Sequence, residues 1–144
     1  MPHIDKKHAY ETLQWYPHMG PRDAHIWNSF VLSHPHHFLS AIYDMRCGTV
    51  ENCPEEYPKN IQDAWRDLCR GRIDVVAETN TTVYVIEVKP SARGEAIGQA
   101  INNAFLYKKD NRPEKPVIAA VITDIIIPNT DAVARALDVQ LWTP

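Results

Sequence analysis

Two runs of strand-forming residues, separated by four polar residues, constrain the fold of this chain more than any other feature. Residues 72–77 and 82–88 are rich in valine, isoleucine and threonine, and residues 78–81 lie between them. Runs of β-branched residues joined by a short polar segment predict a β-hairpin. Pro90 then ends the second strand, because proline has no N–H group to donate to a neighbouring strand.

The turn of this hairpin determines which residues face each other across it. A loop of two or four residues centred between Asn80 and Thr81 places Asp74 directly opposite Glu87, whereas a loop of three or five residues would shift the register. Directly opposed side chains have Cβ atoms roughly 4.5–5.5 Å apart, so two carboxylates there repel each other unless a cation lies between them. Mg²⁺ is suited to that position because it binds carboxylate oxygens and retains several waters.

A lysine follows these acids on the second strand. Lys89 lies two residues after Glu87, so the alternation of a β-strand puts both side chains on one face. An ammonium group there can hold a metal-bound water and offset the negative charge that develops on a phosphate. Asp74, Glu87 and Lys89 therefore have the chemistry needed for metal-assisted hydrolysis of a phosphodiester. The alternative is a solvated strand face without such a role.

The rest of the chain alternates between helical and strand patterns. Apolar spacing and the positions of glycine and proline predict helices over residues 21–34, 60–69, 92–107 and 130–137, and strands over 38–47, 117–122 and 139–142. Late strands separated by a helix predict a parallel pair with a right-handed crossover. The order α-β-(α)-β-β-α-β-α-β predicts a single α/β domain, residues 1–144, with a mixed sheet flanked by helices and a peripheral lead over residues 1–20.

Composition excludes several classes of protein. The chain has 44% hydrophobic and 23% charged residues, as ordinary globular proteins do. It has neither the roughly 20 successive apolar residues of a membrane helix nor the apolar core of a secretory signal, so we expect a cytoplasmic protein without a membrane partner. Its net charge of -3 argues against a surface that attracts nucleic acid everywhere. The irregular spacing of Cys47, Cys53 and Cys69 predicts free thiols.

The acids and the lysine also form a pattern known from one family. Asp74, followed after twelve residues by Glu87-Val88-Lys89-Pro90, resembles the signature of the PD-(D/E)xK nuclease superfamily, which includes restriction endonucleases and Holliday junction resolvases. The core of that superfamily, a helix, three strands, a helix and a strand, is similar to the order predicted between residues 21 and 122. The resemblance implies a restriction-endonuclease-like fold and an endonuclease that uses Mg²⁺, with Mn²⁺ as an alternative, to hydrolyse DNA.

The resemblance also implies roles for particular residues. Asp74 and Glu87 would be metal ligands, and the Val88 carbonyl group a third. Lys89 would be the catalytic lysine. Ile73 replaces the proline that precedes the aspartate in the family, at a position that varies widely among its members.

Further residues match features that many members of the superfamily share. Gln99 and Tyr107 lie on the helix after the lysine strand; Gln99 would orient a water or a phosphate oxygen, whereas Tyr107 is expected to pack in the core. Gly98 would let that helix approach the sheet closely. Many members take an acid from the first helix, and Asp23 is the candidate here. An acid in a first helical turn is also common because of the helix dipole alone.

Four arginines are candidates for contacts to the DNA backbone, which would fix position without reading sequence: Arg66, Arg70, Arg72 and Arg93. Three of them lie in residues 59–72, where four basic residues accompany two acidic ones, and a helix with mixed solvated charges explains this segment equally well. The sequence leaves open whether RNA is also a substrate and whether the protein forms a homodimer. The alternative function is a non-catalytic nucleic-acid-binding or assembly protein that keeps the same fold as a scaffold, since a fold does not establish chemistry.

Overall fold

A computed structural model describes residues 6–144, in which six strands form one mixed sheet and four helices flank it. The strands are β1 (His8–Ala9), β2 (Ser40–Cys47), β3 (Gly71–Glu78), β4 (Val83–Val88), β5 (Val117–Ile122) and β6 (Gln140–Trp142). The helices are α1 (Pro21–Ser33), α2 (Lys59–Cys69), α3 (Gly94–Asn111) and α4 (Pro128–Ala136). The predicted order of elements is confirmed, and β1 precedes it as a short strand that the sequence pattern did not indicate.

The strands lie side by side in the order in which they occur in the chain. Pairing is antiparallel from β1 to β4 and parallel from β4 to β6, so the predicted mixed sheet is confirmed. The predicted register of the hairpin is also confirmed, since Val75 pairs with Ile86 and Glu78 with Val83. The ladder stops at Val75, and the same register places Asp74 opposite Glu87 one position further on.

Each face of the sheet has its own apolar core. On one face, α1 buries Trp27 and Phe30 against a cluster that includes Ile86 and Val88 of β4. On the other face, β4 presents Val83 and Val85 to a cluster that includes Tyr107 of α3. Because side chains alternate along a strand, Glu87 and Lys89 belong to the face that α3 covers.

The spacing of Ile97, Ile101, Ala104 and Phe105 predicts one apolar stripe on α3, but the helix does not bury all of it. Ile97 is buried, but Ile101 is 37% exposed and Phe105 is 67% exposed, so the prediction for these two residues was wrong. The buried face of the helix is rotated from that stripe by about a quarter of a turn, and it includes Ala100 and Tyr107. Tyr107 therefore packs in the core, as predicted.

The prediction for Gly98 was also wrong. Gly98 is exposed, and a Cβ atom added there would have no neighbour within 4 Å. The helix lies close to the sheet through the small side chains of Ala96 and Ala100 instead, which are 6% and 0% exposed. Glycine is not required for this contact, since two alanines on the buried face suffice.

Helix α2 has the predicted helical spacing but contributes little to the core. None of its residues is buried, and Leu68 is 62% exposed. Its contacts are mainly with the preceding loop, where the Trp65 indole Nε1 donates a hydrogen bond to the Glu51 carbonyl oxygen at 2.7 Å. Helical periodicity predicted the helix correctly, but it did not indicate whether another element packs against it.

The N-terminal lead contributes to the structure more than its composition suggests. β1 pairs with β2, Tyr16 is 2% exposed, and the Tyr10 ring packs edge-on against Trp27. Residues 1–5 of the predicted lead lie outside the described residues. No helix within residues 6–144 combines the length and the apolar character needed to cross a membrane. Cys47, Cys53 and Cys69 are free thiols, as predicted.

The buried tryptophan of α1 gives a direct test of this core. Trp27 is 0% exposed and its indole donates a hydrogen bond to the Tyr43 hydroxyl at 3.1 Å. We expect Trp27→Ala to lower the free energy of unfolding by about 3–5 kcal/mol in denaturant titrations, because it leaves a large cavity. Trp15→Ala is the matched control, since Trp15 is 48% exposed and its loss should cost less than about 0.5 kcal/mol. Equal losses in the two variants would contradict this packing.

Candidate functional site

Asp74 lies where β3 separates from β4. Its carboxylate oxygen Oδ2 accepts a hydrogen bond from the Val88 main-chain N–H at 2.9 Å. β4 itself continues along β5, since the Lys89 N–H donates to the Ile122 carbonyl oxygen at 3.0 Å. The Asp74 side chain therefore takes the place of a main-chain partner at the end of the hairpin ladder.

Glu87 lies on the neighbouring strand and is held from the helix side. Its Oε1 accepts a hydrogen bond from the side-chain amide of Asn103 at 2.8 Å. Asn103 belongs to α3 and is fully buried. The structure thus brings together two strands and one helix around the two predicted acidic ligands.

Burial disfavours the charged form of both acids. Loss of solvent raises the pKa of Asp74, and the charges of Asp23 and Asp44 raise it further, whereas the hydrogen bond from Val88 lowers it. Burial also raises the pKa of Glu87, and the charge of Asp74 raises it further, whereas the hydrogen bond from Asn103 lowers it. Two like charges in one poorly solvated place are costly unless a cation compensates them.

Asp44 is an acid of this site that the sequence analysis missed. The register of β2 and β3 pairs Tyr43 with Val75 and Met45 with Ile73, so Asp44 faces Asp74 across the strand pair, where the ladder is interrupted. Asp44 is 6% exposed and has a left-handed backbone conformation, with φ of 54°. An aspartate between Tyr43 and Met45, inside a predicted strand, was the signal in the sequence that could have identified it.

Arg72 compensates the charge of Asp44. Its Nε lies 2.9 Å from Asp44 Oδ1, in an ion pair whose atoms are not aligned as a hydrogen bond. The Arg72 guanidinium group also contacts the imidazole ring of His18. This arginine, a predicted DNA contact, has a side chain that is 28% exposed and is already paired within the protein.

A cavity of about 200 Å³ opens beside Glu87. It is lined by Glu87, Lys89, Glu95, Ala96 and Gln99. Lys89 is exposed and forms no ion pair with any of the described residues, so its charge is free for a ligand. Of the residues predicted from the sequence, Lys89 and Gln99 therefore share one cavity with Glu87, and Glu95 is an additional acid that the sequence analysis did not single out.

The remaining predicted residues do not line this cavity. Asp23 is close enough to Asp74 for its charge to raise the pKa of that carboxyl group. Arg93 is exposed at the start of α3, one residue before the helix that carries Glu95 and Gln99. Arg66 and Arg70 belong to the α2 segment, and neither lines the cavity.

The donor set fits a hard divalent cation with few protein ligands. Among residues 6–144, no three His, Cys, Asp or Glu side chains are arranged as a metal site. Asp74 and Glu87 supply two carboxylates, however. The C=O and N–H groups of one trans peptide point in opposite directions. Since the Lys89 N–H faces β5, the Val88 carbonyl group of the same peptide lies on the edge that faces Asp74. Two carboxylates and one carbonyl oxygen from the protein suit Mg²⁺, which keeps several waters.

Comparison with known proteins bears on the fold alone. No family model and no curated protein matches this chain. A solved structure is similar to it. That structure is the crystal structure of a protein of unknown function, AF1548, with a TM-score of 0.50 and 17% sequence identity. The match covers 78% of this chain and 53% of the other, so this chain spans about half the length of that protein.

The raised pKa of Glu87 makes the stability of the metal-free protein depend on pH. Above the ordinary pKa of 4.5 the folded state binds more protons than the unfolded chain, so stability falls as the pH rises. In EDTA we expect Glu87→Gln to remove part of the loss of thermal stability between about pH 5 and about pH 8. At neutral pH we therefore expect this substitution to raise the melting temperature of the metal-free protein.

The control for this measurement is Glu114→Gln, which changes an exposed glutamate of the α3–β5 loop. Thermal unfolding followed by circular dichroism should show the same pH dependence for this variant and the wild type. A Glu87→Gln variant with the pH dependence of the wild type would contradict a raised pKa of Glu87 in the folded protein.

Proposed function

We propose that this protein is a metal-dependent endonuclease with a restriction-endonuclease-like fold, which hydrolyses phosphodiester bonds in DNA. One observation supports the proposal above the others. Two partly buried carboxylates, Asp74 and Glu87, lie opposite each other where β3 separates from β4, and the free ammonium group of Lys89 lines an open cavity together with Glu87. These are the three charged groups that metal-assisted phosphodiester hydrolysis uses.

The cation would be held by Asp74, Glu87 and the Val88 carbonyl group. When bound, Mg²⁺ or Mn²⁺ supplies Lewis-acid activation of a water and of the scissile phosphate. The raised pKa of each carboxyl group reflects a site in which negative charge is poorly compensated by the protein alone. Divalent cations should therefore stabilise the folded protein as well as support its activity.

The chain's own side chains orient the reactants and compensate charge. Lys89 would donate hydrogen bonds to a phosphate oxygen and to the attacking water, and its charge would offset the negative charge that increases as the water oxygen bonds to phosphorus. Gln99 faces the same cavity and would orient the water or a phosphate oxygen. The reaction adds water across the P–O bond, and the resemblance to the nuclease superfamily suggests a 5′-phosphate product.

Contacts to the DNA backbone would come from arginines with accessible side chains. Arg93 is the strongest candidate because it is exposed and lies directly before α3. Arg66 is exposed on α2, and Arg70 follows it at the end of that helix. Arg72 would contribute less, since Asp44 already compensates its charge.

Loss of Lys89 tests the catalytic part of the proposal. We expect wild-type protein to cleave DNA in Mg²⁺ and to be inactive in EDTA, and we expect Lys89→Ala to reduce the cleavage rate by at least about 100-fold. Lys109→Ala, which changes an exposed lysine on the far end of α3, is the matched control and should retain activity. Supercoiled, branched and single-stranded DNA and RNA should be assayed with each protein.

The outcomes separate the proposal from a contaminant and from a scaffold. Cleavage that survives both EDTA and Lys89→Ala would identify a contaminating nuclease. Binding of DNA without cleavage of any substrate in Mg²⁺ or Mn²⁺ would contradict the enzymatic proposal and favour the non-catalytic alternative.

Arg93 provides a separate test of the DNA contact. In a Lys89→Ala background, Arg93→Ala should weaken DNA binding equally for unrelated sequences, because a phosphate contact carries no sequence information. The slope of log affinity against log salt should decrease by about 1. Arg135→Ala is the control, since Arg135 lies on α4 and pairs with Asp131 of the same helix. Equal effects of the two substitutions would place the DNA elsewhere.

A further inference from the structure

A buried asparagine joins α3 to both strands of the candidate site. Asn103 is 0% exposed, and its amide nitrogen donates to Glu87 Oε1 at 2.8 Å and to the Arg72 carbonyl oxygen at 3.0 Å. These two hydrogen bonds use both N–H groups of the side chain. Asn103 thereby connects α3 with β3 and β4 next to the position at which the strands separate.

The surroundings of this amide select one orientation. Its oxygen Oδ1 lies 3.7 Å from the Cys47 thiol, which can donate, and 3.4 Å from the Asn102 amide nitrogen. Exchanging nitrogen and oxygen would place Oδ1 against two acceptors, the Glu87 carboxylate and the Arg72 carbonyl group. A buried acceptor that faces two acceptors is strongly unfavourable, so the donor side of the amide is directed at Glu87.

The absence of a side chain at residue 71 provides the space for this arrangement. A Cβ atom at Gly71 would lie 2.6 Å from Asn103 Oδ1 and 2.8 Å from the Cys47 sulfur. Both distances are far below van der Waals contact, so any larger residue would displace the amide. Gly71, Cys47 and Asn103 together fix the position of the group that contacts Glu87.

The contact with Asn103 matters because a glutamate carboxylate turns freely about its last bond. When both carboxyl groups are ionised, as cation binding requires, repulsion from Asp74 would favour rotation of an unrestrained Glu87 away from the shared space. The hydrogen bond to Oε1 opposes that rotation and holds the carboxylate beside Asp74. Residues that orient a metal-ligating carboxylate in this way typically change metal affinity by about 10–100-fold when they are removed.

We propose that Asn103 is a positioning residue that holds the Glu87 carboxylate where it and Asp74 can share one divalent cation. The inference rests on the proposed metal site and extends it to a residue on α3 that does not itself contact the cation. It assigns the buried cluster of Asn103, Gly71 and Cys47 a function beyond packing.

The test measures the affinity for Mn²⁺ without DNA, by electron paramagnetic resonance of the free ion. Asn103→Leu removes the donor and keeps a similar volume, and its Kd for Mn²⁺ should rise by about 10–100-fold. Asn111→Leu, on the last turn of the same helix, should leave the Kd within about twofold of the wild type. A merely structural role would lower the melting temperature in EDTA but would not change the Kd of the folded protein.

Gly71→Ala is a second variant that acts on the same amide from β3. It keeps Asn103 but displaces it, so it should also weaken Mn²⁺ binding. This variant decides the question if Asn103→Leu does not fold. A folded variant of either kind that binds Mn²⁺ as tightly as the wild type would overturn the positioning role.

The failure of this inference can be distinguished from the failure of the proposed function. If wild-type protein binds Mn²⁺, if Asn103→Leu binds it more weakly, and if no DNA is cleaved, the nuclease proposal fails and the positioning role stands. If the wild type cleaves DNA and Asn103→Leu binds Mn²⁺ normally, the positioning role alone fails. A wild-type protein without affinity for Mn²⁺ would overturn both.

Discussion

Two partly buried carboxyl groups, those of Asp74 and Glu87, determine how the candidate site is built. Two neighbouring groups fix their geometry: the Val88 N–H contacts one carboxylate, and the Asn103 amide contacts the other. Arg72 compensates the third nearby acid, Asp44. Proteins tolerate such an unfavourable arrangement when the remaining structure is stable enough, and this sheet has an apolar core on both faces.

The elements that could be predicted from the sequence are those specified by local patterns. Two β-branched runs and a short polar segment gave the hairpin, and a loop of two or four residues gave the register that pairs Asp74 with Glu87. The position of Lys89 on the same face as Glu87 followed from strand alternation alone. In each case the prediction depended only on residues that are close in the chain or paired across a single turn.

The features that could not be predicted depend on contacts between distant parts of the chain. The exposure of Phe105 and the burial of Asn103 depend on how α3 is rotated against the sheet, and its alanines determine that rotation better than its larger apolar residues do. Asp44 could be noticed as an acid within a strand, but its partner Arg72 is 28 residues away. Periodicity gives the face of a helix only when one stripe is clearly apolar, and α3 has two competing stripes.

Helix α2 connects β2 to β3 without adding a buried side chain to either core. The free energy that holds the sheet together is therefore nearly independent of this stretch of chain, and long surface insertions cost little by loop closure. Apart from the proposed DNA contacts Arg66 and Arg70, mutations there escape the selection that acts on packed residues. We expect the α2 segment to be the part of the molecule in which length and sequence diverge fastest during evolution, while the strands on either side of it remain recognisable.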